Sequence, residues 1–352
     1  MKLEPMTSMQ RTLAAMSQQE PDRVPLFLNL TLHGSKEMGM SLQEYFRRPE
    51  NVAQAQLRMA KRFQGDCLSA FHYAAMELEA FGGETIFFED SPPNSGEPVI
   101  RKPEDIFSLQ PPDIRFCPGL QNVLEATRLL YAARGGEVPI VGVVVSPFSL
   151  PVMQMGFEAY LNLIYERPDL FDRLMQVNQQ FCVDWGNAQL FAGATAIVYF
   201  DPVSSVTITT REQFMKMGYP IACQTIAQIK GQVGMHFASG RCLPILEDVV
   251  KTGALLVGAS SDEDLRELRT TANKRLTIVG NLNGVEMRRW SASQAENEVK
   301  HAIARWGKGG GWILSDTHGE LPYQVPEDVI LAISEAVRVW GSYPLTWIGE
   351  HA

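Results

Sequence analysis

VPIVGVVVSPFSLPVMQMGFEAYLNLIYERP, residues 138–168, decides the fold. It opens with a short run of β-branched residues, breaks at Ser146-Pro147 and again at Pro151, and resumes with apolar residues at helical spacing. That order is a buried strand, a turn and a helix. The prolines also stop the apolar run well short of a bilayer span. Working outward, the same order recurs. ATAIVYF (194–200), QVGMHF (232–237), ALLVGA (254–259), LTIVGNL (276–282) and GGWILS (310–315) read as strands. Between them QNVLEATRLLYAA (121–133), TREQFMKMGYPIACQTIAQIK (210–230), CLPILEDVVKTG (242–253) and SQAENEVKHAIARWG (293–307) read as helices. Strand and helix in alternation imply a parallel sheet covered by helices. The number of units predicts a single (β/α)8 TIM barrel over 1–352, with residues 1–22 as an N-terminal helical extension. An open doubly wound sheet is the alternative.

Composition narrows the functional classes. At 352 residues and 45% hydrophobic, the chain can bury one large core. Its 31 basic and 40 acidic residues give a net charge of -9, which argues against a nucleic-acid surface. Five widely spaced cysteines contain no CxxC pair, so neither a disulfide scaffold nor a cysteine metal knuckle is expected. The opening MKLEPMTSMQRTLAAMSQQEPDR does not resemble a secretory leader, and a cytoplasmic location without membrane association is the expectation. There is no GxGxxG opening a helix and no P-loop.

In a parallel barrel, functional side chains are expected where strands end at the C-terminal face. Four segments qualify: FHYAAME (71–77), YFDPVSS (199–205), MHFASGRC (235–242) and SDTHGELP (315–322). A zinc centre is the sharpest expectation from them. Imidazole, carboxylate and thiolate are suitable ligands, and a catalytic site leaves one position open. His236, His318 and Cys242 are the candidate metal ligands, with Glu320 beside them as a catalytic or ligating carboxylate. His72 and Tyr73 are placed as substrate contacts, against their alternative as core residues. Asp201 follows the apolar 194–200 strand and precedes Pro202. It is expected to orient a neighbour or touch substrate, a structural turn being the alternative. Asn281 and Asn283 are candidate cofactor-binding amides, unless they stabilise an Asx turn with Gly284. The proline- and glycine-rich 86–106 segment reads as a hairpin or lid beside a pocket, or as a surface excursion.

Taken together, PDRVPLFLNLTLHGSKEMGMSLQEYF (21–46), FHYAAMELEAFGGETIFFEDSPPNSGEP (71–98), YFDPVSS, the region after MHFASG, VGNLNG (279–284) and GWILSDTHGELPYQVPEDVILAISEAV (311–337) resemble the uroporphyrinogen decarboxylase superfamily, including its cobamide-dependent methyltransferase branch. The resemblance implies a barrel with a deep funnel. The decarboxylases handle a polycarboxylated tetrapyrrole with basic residues near the first strand and a catalytic Asp; here the first strand reads VPLFLNLTLHG and Tyr73 stands at the Asp position. The thiol methyltransferases hold zinc with a His-x-Cys pair and a distant Cys. His236 matches the first ligand, Phe237-Ala238 replaces the x-Cys, and the last turn, SDTHGELP, has no cysteine. From this the expected activity is metal-dependent methyl transfer between a small molecule and cobalamin or a corrinoid protein partner. A decarboxylase of another carboxylated compound and a noncatalytic binding protein are the alternatives. A homo-oligomer is compatible with the sequence, which fixes no order.

Overall fold

The computed structural model describes residues 5–349; residues 1–4 of the expected N-terminal extension lie outside them. Within that extension Ser8–Met16 is helical. Its start is set by Thr7, whose hydroxyl accepts the Gln10 amide while the Gln10 side chain reaches back to the Thr7 amide.

Eight strands follow: β1 (Leu26–Phe27), β2 (Leu68–Ser69), β3 (Ile140–Val145), β4 (Ala196–Phe200), β5 (Gln232–His236), β6 (Leu256–Gly258), β7 (Thr277–Val279) and β8 (Trp312–Ser315). They form one parallel sheet in the order β1-β8-β7-β6-β5-β4-β3-β2. Helices fill the crossovers, several of them starting at a proline, as at Pro49–Phe63, Pro118–Arg134 and Pro168–Ala192. The 86–106 segment carries a separate antiparallel hairpin, Thr85–Ile86 with Asn94–Ser95. No helix among the described residues is long and apolar enough to cross a membrane.

The expectation of a closed barrel needs one correction. Strand number, order and direction are as predicted, but no ladder joins β1 to β2, so the sheet is open along one seam. Both strands are two residues long, and each spends its ladder on its other neighbour, β1 on β8 and β2 on β3. Asp66 bridges the seam instead. Its amide donates to the Leu26 carbonyl at 2.8 Å, and its carboxylate accepts the Leu26 amide at 2.9 Å. The same carboxylate, fully buried, pairs with Arg11 at 2.6 Å and Arg23 at 2.7 Å. Arg11 is in turn held by Asp22.

Register decides what meets at the mouth. β3, β4 and β5 pair without offset, from Val141, Ala196 and Gln232 to Val145, Phe200 and His236, so the last three form one layer. Along β4, Ile197 and Tyr199 are fully buried under the helices, while the alternate Ala196, Val198 and Phe200 face the axis and are only half-buried.

Removing the seam carboxylate leaves two guanidinium groups without their partner inside the fold. Asp66→Ala should therefore cost about 3–5 kcal/mol, read as a lowered denaturant midpoint. A loss below about 1 kcal/mol, the value of an exposed pair, would show that the seam does not depend on Asp66.

Candidate active site

A cavity of ≈ 250 Å³ opens at the C-terminal ends of the strands. Val141, Val143 and Val145 of β3, Val198 of β4 and Val279 of β7 form its wall. Asn29, Cys67, Ser69, His236, Ser315, His318 and Glu320 are its polar groups, and among the described residues no Lys or Arg lines it. Pro92 and Pro93 of the hairpin segment close over it, so the lid expected from the 86–106 stretch does border the pocket.

His236 ends β5 with its ring stacked on Phe200, centroids 5.9 Å apart. The chain then turns back through Ala238, at φ 52, and the Ala238 amide donates to His236 Nδ1 at 3.0 Å. An accepting Nδ1 carries no proton, so the neutral ring bears it on Nε2. Burial, with His318 nearby, pulls the His236 pKa down to about 4, and the ring is neutral at physiological pH. The ring also needs room. A Cβ on Gly258 would come within 2.3 Å of it, and one on Gly319 within 3.0 Å.

The last loop supplies the facing groups. Asp316, buried, accepts the amides of His318 at 2.8 Å and Gly319 at 3.2 Å, which folds 316–319 into a tight turn. Thr317 ties that turn to the chain after β6, donating to the Ala259 carbonyl at 2.9 Å and accepting the Ser261 amide at 2.9 Å. His318 Nδ1 is hydrogen-bonded to the Ser239 hydroxyl, and its Nε2 is buried without a protein partner. Glu320 takes the Thr31 hydroxyl, and Asn29 donates to the Gly319 carbonyl at 2.6 Å. Burial, reinforced by the Asp316 carboxylate, pushes the Glu320 pKa up to about 8, so it holds its proton at neutral pH.

The structure thus brings His236, His318 and Glu320 to one cavity and sets the other predicted residues apart. Cys242 points away from it, its Sγ 3.6 Å from Glu263 Oε2 and 4.0 Å from the Gly258 carbonyl, and burial raises its pKa well above the usual thiol range. His72 is fully buried, stacked on Phe46, with Nδ1 on the Ala70 carbonyl at 2.7 Å. Tyr73 packs edge-on to Phe46 and Phe87, and its hydroxyl donates to Glu79. Neither lines the cavity. Asp201 is also buried, accepting the Ser146 and Ser149 hydroxyls at 2.7 Å each, and so anchors the loop after β3. Asn281 spends its amide on the carbonyls of Ser260 and Glu263, and Asn283 accepts the amides of Val285 and Glu286, the Asx turn weighed above. Sequence reasoning missed Asn29, Ser69, Ser315 and Asp316. The first two lie on strands of two residues or beside them, too short to show a period; the others stood inside a quoted motif whose histidine and glutamate drew attention first.

The zinc expectation is not met by this donor set. Among the described residues no three His, Cys, Asp or Glu side chains converge as a metal-binding group. The Ala238 amide occupies His236 Nδ1, which leaves a proton on the cavity-facing nitrogen where a ligand would need a lone pair.

A parallel eight-stranded α/β sheet with ionisable groups gathered at its C-terminal mouth defines a barrel-type enzyme scaffold. The chain belongs to the uroporphyrinogen decarboxylase (URO-D) family, which matches residues 7–340. A uroporphyrinogen decarboxylase of Alkalilimnicola ehrlichii is 26% identical over 346 residues, 90% of each chain. Among solved structures, a methyltransferase from Methanosarcina mazei superposes with a TM-score of 0.81 at 20% identity, covering 95% of this chain and 99% of its own. A B12-independent methionine synthase from Shewanella sp. W3-18-1 gives 0.51 at 12% identity, covering 91% and 95%. Those two likenesses establish the fold.

A titration separates Glu320 from the remaining buried carboxyls. Its folded pKa lies above the unfolded one, so its contribution to stability is complete below about 4.5 and is lost as pH rises through about 8. The neutral Glu320→Gln variant should therefore gain in Tm relative to the parent between pH 5 and pH 9. A constant difference across that range would mean that Glu320 ionises normally.

Proposed function

We propose that the chain is a decarboxylase of a small, largely apolar carboxylate, with Glu320 as the proton donor. The observation that carries this reading is the Glu320 carboxyl, its pKa pushed up by burial to about 8, lining a valine-walled cavity that among the described residues holds no lysine or arginine. Such a lining disfavours a localised carboxylate more than the dispersed charge that forms as it departs. It is equally unsuited to a substrate with several carboxylates, each of which would need its own cation or hydrogen bonds.

In the proposed step the bond between the substrate carbon and its carboxylate breaks, carbon dioxide leaves, and the electron pair passes to an adjacent carbonyl or similar acceptor. His236 Nε2–H donates to the oxygen on which that charge develops. Glu320 then protonates the carbon and is reprotonated from water at the mouth. Asp316 is the positioning residue, since its two main-chain hydrogen bonds fix the turn that carries both His318 and Glu320. The family and its decarboxylase relatives support the reaction class. Corrinoid-linked methyl transfer is the second reading, favoured by the fold likeness to the Methanosarcina mazei methyltransferase. On this reading too Glu320 is the acid, protonating the group that gives up its methyl.

Purified protein offered a panel of β-keto and electron-poor aromatic monocarboxylates should release carbon dioxide without added cobamide. Glu320→Gln should lower kcat by about 10²–10⁴-fold, the usual worth of a general acid, with KM changed far less. Turnover that appears only with reduced cobalamin and a methylated substrate would replace this reading by the second.

A further inference from the structure

Below His236 the barrel axis stays open. A second cavity of ≈ 100 Å³ shares Phe27, Val141, Val198, His236 and Val279 with the first, so the two are successive chambers on one axis. Barrel interiors are ordinarily filled by layers of bulky side chains. Here Val198 pairs across the sheet with Gly234, and Ala196 stands two residues below it, so two inward positions contribute almost no volume. The floor is made by Met9, Leu13 and Met16 of the N-terminal helix. From the layer of Phe200 to that of Ala196 is four strand residues, about 13 Å along the strand and, with barrel strands tilted by about 36°, about 11 Å along the axis.

We propose that this axial chamber is a tail-binding subsite: it takes an unbranched hydrocarbon chain whose head group reacts above, at Glu320. A largely apolar chamber of this kind gains dispersion contacts from an apolar occupant. The depth favours a linear chain over a compact group, which the upper chamber alone would hold. The five residues common to both chambers form the neck between them, and the chain would pass it beside the His236 ring. The inference deepens the decarboxylase reading and rests on it for the head group alone.

The test is calorimetric binding, without turnover, of two homologous series: straight-chain alkanoates from butanoate to tetradecanoate, and the matching alkanols. Affinity should tighten about fourfold with each added methylene, the equivalent of ~0.8 kcal/mol, and then level off when the chain reaches the helix floor. Ala196→Phe and Leu256→Phe, which fill the lower chamber only, should make the plateau begin several carbons earlier while the shortest members bind as before; having both variants guards against one that misfolds. Chain-length dependence in the alkanols but not the alkanoates would keep the tail subsite and remove the carboxylate reading. Affinity independent of chain length in both series, or a plateau that neither variant moves, would overturn the subsite.

Discussion

One buried carboxylate lets a sheet with two minimal strands behave as a barrel. Asp66 receives two guanidinium groups and a main-chain amide across the seam where β1 and β2 fail to pair. Its own amide completes the tie to Leu26. No ladder joins these two edge strands, and a loose seam would let the sheet flatten. The mouth depends on this closure, since Asn29 beyond β1 and Ser69 of β2 stand on opposite sides of it, with Glu320 on the loop after β8, the strand next to β1. Arg11 and Arg23, the nearest cations to the first strand, are consumed by this task and do not line the cavity.

The electrostatics of the mouth follow from that arrangement. With no Lys or Arg among the described residues of the cavity wall, burial sets the protonation states: His236 gives up its charge and Glu320 keeps its proton. The pair presents two hydrogen donors and no net charge to whatever enters. The same physics opposes a doubly charged metal ion: burial keeps the Cys67 thiol in the wall protonated, the Asp316 carboxylate is taken by two main-chain amides, and Cys242 is committed to a different environment beneath β6.

Much of this was legible in the sequence, for reasons that can be stated. Strand runs such as 194–200 alternate in burial as a period of two requires, and the helices between them carry their own spacing, so the parallel order could be read directly. The mouth residues His236, His318 and Glu320 were legible because the ends of such strands are where a barrel places its chemistry. What was not legible depends on geometry that no local pattern encodes. Whether Cys242 turns towards His236 is settled by Glu263, twenty-one residues away, which takes the Cys242 amide. Asn283 accepts the amides of Val285 and Glu286, a choice of its own turn over a ligand that its local sequence does not decide. The seam was invisible because two-residue strands have no period, and the hollow axis because it is a sum over eight strands of which sizes meet in each layer.

The turn at Ala238 has a consequence for how this scaffold diverges. The proton on the His236 ring is placed by a peptide group, not by a side chain, so its tautomer is a property of the chain's path and passes unchanged through substitutions at position 238. A residue that keeps its main-chain N–H and tolerates the left-handed backbone at φ 52 could stand there while the histidine remained a donor. Turning it into a donor of electrons to a metal would require the loop itself to be redrawn, a change of several residues at once. In that sense the backbone acts as a ratchet, separating neighbouring chemistries on one fold by a step that point mutation alone does not cross.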